Sequence, residues 1–169
     1  MQILFIQTGG TIDKDYPKTV KGYGFEITKP AVESILKKLH VAFKYNITSF
    51  LKKDSQEITE EDRNGLLEFC KTVKQDKIII THGTDTMIQT AKYLSAIKDK
   101  TIIITGAFLP EKFKDSDASF NIGTALGAIE HLEKGVYIAM NGRVFRYNKV
   151  KRELKTGHFI QINSTQNKQ

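Results

Sequence analysis

Threonine hydroxyls are the side chains of this sequence best placed to do chemistry. Two segments, Thr8-Gly9-Gly10-Thr11-Ile12 and Thr81-His82-Gly83-Thr84-Asp85-Thr86, each follow directly on an apolar run. Glycine lets the backbone turn sharply and approach a ligand, which makes Gly10 and Gly83 candidate binding positions. A hydroxyl in the same turn can bind a ligand, or attack it once a base or charged neighbour removes its proton. Thr11 and Thr84 are therefore candidate catalytic residues. Asp85, beside Thr84, can hold a substrate ammonium or orient a proton carrier. A further polar loop carries Ser55 and Gln56. The structural use of a threonine before a helix is N-capping. Two such turns together with the Ser55 loop favour a site.

Other chemistries find less support. The Gly9-Gly10 pair lacks G-x-G-x-x-G spacing, and no G-x-x-x-x-G-K-[ST] occurs. His40, His82, His131 and His158 are widely separated, and none forms a ligand-spaced pair with another histidine or with Cys70. No metal or cofactor is expected. His82 reads as a structural histidine bonded to backbone. Cys70 falls on the apolar stripe of a helix, where core packing outweighs reactivity.

The elements that must position these residues follow from periodicity. Residues 3–7, 77–80, 101–105 and 136–140 read as buried strands, and 41–47 alternates as a half-exposed, edge-type strand. Val32, Ile35, Leu36 and Leu39 stripe one helix behind Pro30. Thr59 and Asp62 resemble a capping box ahead of the stripe Leu66, Phe69, Cys70, Val73. A helix is expected over about 85–97, and Ile122, Ala125, Leu126, Ile129 and Leu132 stripe a fourth. Residues 13–24 form a polar loop long enough to serve as a lid. The β-α alternation predicts one α/β domain: a doubly wound, flavodoxin-like parallel sheet of about five strands with helices on both faces. Ligands bind such sheets at the carboxyl ends of the strands, where both threonine turns fall. The domain is expected over 1–162, followed by a disordered polar tail at 163–169.

Composition narrows the setting. The 169 residues are 40% hydrophobic and 27% charged, with a net charge of +7. That is ordinary for one globular domain. The lysines are spread along the chain, and no nucleic-acid-binding signature accompanies them, so a solvated basic surface is favoured over nucleic acid. The weaker nucleic-acid reading predicts affinity that falls steeply with salt. The lone cysteine excludes an intrachain disulfide and fits a reducing compartment. Met1-Gln2 leads straight into a strand, and no run approaches the roughly 18 apolar residues of a span. A cytoplasmic protein with no membrane partner is expected.

The two threonine motifs resemble the signatures of the bacterial-type L-asparaginases, threonine-dependent amidohydrolases that release ammonia from asparagine and sometimes glutamine. Asp54-Ser55-Gln56 resembles that family's substrate-carboxylate loop. Gly106-Ala107 with Pro110, then Asp117 and Asn121, resemble its next strand-end loop. The resemblance runs through most of the chain. It implies that Thr11 attacks the side-chain amide and that Thr84 activates or positions the attacking group or water. Ser55 and Gln56 would hold the α-carboxylate and Asp85 the α-ammonium.

Three departures accompany the resemblance. The family's loop tyrosine falls here on Phe25, leaving Tyr23 or Tyr16 to substitute. The family's lysine falls in Tyr147-Asn148-Lys149-Val150-Lys151-Arg152, where Lys151 is favoured and Lys149 held in reserve. The chain also stops where the family's smaller C-terminal domain begins, a domain that completes a neighbouring subunit's pocket. The expectation is thus an asparaginase-like amidohydrolase acting on asparagine or a related small amide, as a homodimer or larger homo-oligomer. The alternative is a catalytically weak or inactive relative that binds a small amino acid as a sensor or interaction module.

Overall fold

Ile3 to Ile6, Ile78 to Ile80 and Ile102 to Ile104 bury every side chain, as strands covered on both faces must. The computed structural model describes residues 2–16, 18, 19 and 22–162, without the side chains of 18, 19 and 23. The expectations placed on the Tyr23 side chain and on the 163–169 tail lie outside these described residues.

Five strands run parallel: β1 (Gln2–Gly9), β2 (Lys44–Lys53), β3 (Lys77–Thr81), β4 (Thr101–Thr105) and β5 (Gly135–Met140). Their spatial order is 2-1-3-4-5, the flavodoxin-like arrangement. A sixth strand, β6 (Arg143–Arg146), returns antiparallel along β5. The turn between them is Asn141-Gly142, both at positive φ (54° and 72°), as a two-residue hairpin requires. This strand adds an edge to the five that periodicity predicts. β2 is the other edge and alternates between exposed and half-buried positions.

Successive side chains of each strand feed opposite layers. Ile3, Phe5, Ile79 and Ile103 pack with α1 (Ala31–Leu39) and α4 (Ala118–Ile129). Leu4, Ile6, Ile78, Ile80 and Ile102 pack with α2 (Glu60–Thr72) and α3 (Met87–Leu94). Cys70 belongs to the second layer, and burial pushes its thiol up to about 12. The Thr59–Asp62 capping box forms in both directions.

One helix starts later than its stripe predicts. Thr86 is non-helical (φ −124°, ψ 13°), so α3 begins at Met87 rather than near Asp85. Its hydroxyl donates to the Ser55 carbonyl at 2.7 Å, which holds the preceding residues as an open turn. A short ribbon, Val150–Arg152 against Phe159–Gln161, follows β6 and reaches back to the strand ends. Among the described residues, no helix is long and apolar enough to cross a membrane.

Candidate functional site

β1 and β3 are hydrogen-bonded neighbours, with Gln7 opposite Thr81, so both threonine turns leave the sheet side by side. This is the switch point of the 2-1-3-4-5 order, because β2 flanks β1 on its other side. The Thr8 hydroxyl donates to the Thr81 carbonyl at 2.7 Å, and Gly10 N–H donates to the Lys53 carbonyl at 3.0 Å. Three chain segments are thereby tied at one point.

Their closeness depends on glycine. A Cβ on Gly10 would stand 2.3 Å from the Cα of Gly83, and a Cβ on Gly83 would stand 2.6 Å from the Ser55 side chain. Gly10 also has φ 81° and ψ −175°, a conformation essentially confined to glycine. Gly10, Gly83 and Ser55 are thus brought together at one point.

Thr11 and Thr84 are half-buried on this junction. Neither caps a helix: the residues at those boundaries are Gly10 and Thr86, and neither boundary carries a side-chain cap. Among the described residues, neither hydroxyl has a hydrogen-bond partner.

Asp85 faces the same rim, with both carboxylate oxygens engaged. Gln56 Nε2 donates to Oδ2 at 2.7 Å, and Arg152 Nη1 pairs with Oδ1. The Gln56 amide and the Arg152 guanidinium hold this carboxyl below the ordinary carboxylate range. Arg152 also donates from Nε to the Gly157 carbonyl at 3.2 Å and lies 5.7 Å from the Phe108 ring centroid.

Among the described residues, the basic side chain paired with Asp85 is that of Arg152, and the favoured Lys151 is not brought to it. Along the Val150–Arg152 strand, successive side chains alternate. Val150 is buried and Arg152 half-buried toward Asp85, which leaves Lys151 exposed on the opposite face. Lys149, in the turn before the strand, is exposed as well. Phe25 and Tyr16 stack edge-on at 4.7 Å, and Phe113 lies 6.4 Å beyond Phe25.

His82 is buried and bonded to backbone, the arrangement expected of a structural histidine. Burial pulls its pKa down to about 4, so the ring is neutral at physiological pH. The Gly83 carbonyl, 2.8 Å away, can only accept, which assigns the proton to Nδ1. Nε2 then accepts from the Thr90 hydroxyl at 2.8 Å. This network continues into residues that sequence reasoning missed. Arg63 is buried and donates to Thr90 (3.1 Å), the Ile58 carbonyl (2.7 Å) and Thr86 (3.2 Å). It anchors the Ser55 loop to α3. Arg63 lies three residues before Leu66 and seven before Cys70, on the same apolar stripe.

Asp13 was missed too. Its carboxylate is buried beneath the Thr11 turn and accepts from Ala31 N–H (2.7 Å) and the Thr81 hydroxyl (3.1 Å). Burial raises its pKa to about 6. A separate cleft of about 650 Å³ opens beside it, lined by Ile12, Thr28, Ala31 and Glu111 among others; it takes in none of Thr11, Ser55, Thr84 or Asp85. Asp117 and Asn121 brace the loop after β4. Asp117 accepts from Phe108 N–H and Leu109 N–H, and Asn121 donates to the Gly106 carbonyl. Among the described residues, no three His, Cys, Asp or Glu side chains cluster to hold a metal.

Comparison with known proteins agrees with this architecture. The family described as "Asparaginase, N-terminal" matches residues 2–168. The L-asparaginase of Thermococcus kodakarensis is 33% identical over 153 residues, covering 85% of this chain and 45% of that protein. The glutaminase-asparaginase of Acinetobacter glutaminasificans is 28% identical over 155 residues, covering 85% and 47%. The solved structure of the thermostable Thermococcus kodakarensis L-asparaginase superposes with a TM-score of 0.80 at 30% identity, covering 96% of this chain and 52% of that one. The chain spans about half the length of these relatives. With the match running through nearly its whole length, it belongs to the asparaginase family, as a counterpart of that family's N-terminal part.

Proposed function

We propose that this chain is an asparaginase-like amidohydrolase that releases ammonia from asparagine or a related small amide. In this reading the Thr11 oxygen attacks the amide carbon, ammonia leaves, and water then cleaves the resulting ester. Thr84 positions the attacking group or water, and backbone N–H groups of the two turns face the oxyanion. Ser55 and Gln56 supply donors to the substrate carboxylate. The observation that carries the reading is the pair of half-buried, unpartnered hydroxyls on adjacent strand ends, their turns in backbone contact at Gly10 and Gly83. Relatives described as L-asparaginase and glutaminase-asparaginase support the substrate class. Assembly as a homodimer or larger homo-oligomer belongs to the same proposal.

A second reading has its own observation. Arg152, and neither Lys149 nor Lys151, pairs with Asp85, and a guanidinium does not give up its proton. Phe25 likewise has no proton to transfer. These favour a weakly catalytic or inactive relative that binds a small amino acid as a sensor or interaction module. Ammonia release from asparagine, glutamine and other small amides, by wild type, Thr11→Ala and Thr84→Ala, tests the two. Turnover abolished by Thr11→Ala supports the enzyme. Absent turnover with calorimetric binding of asparagine or aspartate supports the binding protein.

A further inference from the structure

Thr81 opens the second threonine motif, and the first motif grips it at two points. The Thr8 hydroxyl donates to its carbonyl at 2.7 Å, and its own hydroxyl donates to Asp13 Oδ2 at 3.1 Å. Asp13 shares a short helical turn with Thr11, where its N–H donates to the Gly10 carbonyl at 3.2 Å. Its other carboxylate oxygen accepts from Ala31 N–H at 2.7 Å, and the Gln7 amide adds a third donor. One carboxylate, only 2% exposed, thus ties the Thr11 turn to the strand that leads to Thr84 and to the start of α1.

Among the described residues, no cation offsets this charge. The lysines nearby are engaged elsewhere: Lys14 with Asp54, Lys37 with Glu33 and Lys38 with Glu111. Lys112 leans toward Asp15 at 3.8 Å, and Lys29 acts on Glu33. β1 carries no ionisable side chain, and neutral His82 bonds to Gly83 and Thr90. Neutral donors alone therefore hold the carboxylate against the cost of burial, which raises its pKa to about 6. Ionised, Asp13 accepts from all three donors at once. Protonated, one of its oxygens becomes a donor itself, and a hydroxyl or amide that faced it must turn away. The tie between the two turns then slackens.

We propose that Asp13 is a positioning residue whose carboxylate form locks the Thr11 turn against the strand that leads to Thr84. This deepens the amide-hydrolase reading, on which its kinetic consequence rests, by adding a residue to that same site.

Two pH titrations on the full chain test it. The first follows the backbone amide resonances of Thr11 and Thr84 by NMR without ligand. Wild type is expected to show one shared midpoint near pH 6. Asp13→Asn, which keeps the shape and removes the charge, should abolish it, and Thr81→Val, which removes one donor, should move it upward. The second titration records kcat/KM for ammonia release from L-asparagine. Wild type should lose about tenfold per pH unit below the midpoint. Asp13→Asn should be flat across that range and about tenfold slower than wild type above it. A merely structural anchor would move stability and leave both midpoints in place.

Amides that do not titrate together overturn the inference. So does a midpoint unchanged in Asp13→Asn, which would belong to an exposed histidine, His40, His131 or His158. If Asp13→Asn does not fold, the shift in Thr81→Val decides. Turnover whose acid limb is absent from wild type, or survives in Asp13→Asn, overturns the inference and leaves the amide-hydrolase reading standing. A shared midpoint lost in Asp13→Asn, with no ammonia release and no calorimetric binding of L-asparagine, does the opposite: Asp13 still positions the turns, and the hydrolase reading falls.

Discussion

Gly10 and Gly83 meet backbone to backbone, with room for no side chain between them: a Cβ on Gly10 would lie 2.3 Å from the Cα of Gly83. The contact joins the turn after β1 to the turn after β3 and so sets the spacing of Thr11 and Thr84. Gly10→Ala adds a steric clash to a backbone conformation that L-residues avoid, and the strain alone costs about 1–3 kcal/mol. A fall in the urea midpoint with loss of ligand binding is the expected outcome. Gly123→Ala is the matched control, since a Cβ there meets nothing within 4 Å inside α4. It should gain about 0.5–1 kcal/mol from helix propensity. Equal effects of the two substitutions would show that the contact does not matter.

Arg63 carries the Ser55 loop. Its guanidinium satisfies the Ile58 carbonyl, Thr86 and Thr90 at once, from a position only 3% exposed. Arg63→Ala leaves these buried acceptors short of donors and opens a void, at a cost of about 2–4 kcal/mol. Arg63→Lys is expected to recover little, because a compact ammonium cannot reproduce the planar fork. Chemical denaturation measures the loss. A Lys variant as stable as wild type would refute the multi-point role.

The helix start at Thr59 gives a smaller and more local prediction. Its hydroxyl accepts from Asp62 N–H at 3.1 Å, and the Asp62 carboxylate accepts from Thr59 N–H at 2.8 Å. Thr59→Ala should therefore cost about 1 kcal/mol. Asp62 also holds Lys53 at 2.7 Å, and Lys53 supplies the carbonyl that Gly10 binds. Asp62→Ala should accordingly lower both stability and ligand affinity, whereas Thr59→Ala lowers stability with less effect on affinity. Titration of ligand into both variants separates the two roles.

The parallel sheet was legible because buried strands announce themselves: Ile78-Ile79-Ile80 and Ile102-Ile103-Ile104 allow no solvent face. β6 was missed although Asn141-Gly142 is a strong two-residue hairpin signal. At the site, short-range features were readable and long-range ones were not. Thr11, Thr84 and Asp85 sit at strand ends that periodicity locates. Whether Lys151 or Arg152 faces Asp85 depends on which face Val150 buries, and that is decided by pairing with Phe159–Gln161 and by the core behind it. Arg63 follows a run of acids, Glu60-Glu61-Asp62, yet it shares the stripe of Leu66 and Cys70. Asp13 looked like loop polarity. Its burial follows from how the Thr11 turn meets the start of α1, a tertiary contact with no local signature.

Asp13 and His82 make opposite contributions to acid stability, and substitution can expose each. Asp13 titrates near 6 in the folded chain against an ordinary value of 3.8, because burial disfavours its charge. Below about pH 4 both states hold the proton, and that advantage of the folded form is lost as pH rises through 6, a change of about 3 kcal/mol. His82 titrates near 4 against 6.5, again through burial. Its neutral ring lends stability above pH 6.5 that is lost as pH falls toward 4, also by about 3 kcal/mol. Between pH 4 and 6.5 the two trends nearly cancel. Asp13→Asn, which still lets Ala31 N–H donate, should therefore make the protein lose stability on acidification more steeply than wild type. His82→Gln should do the reverse and gain stability from pH 6.5 to pH 4 relative to wild type. Urea unfolding at those two pH values reads both slopes. Slopes parallel to wild type in either variant would mean that the buried group does not titrate in this window. A steepened Asp13→Asn profile with unchanged ligand affinity at pH 7 would further show that Asp13 serves the Thr11 turn as a structural anchor rather than through its charge.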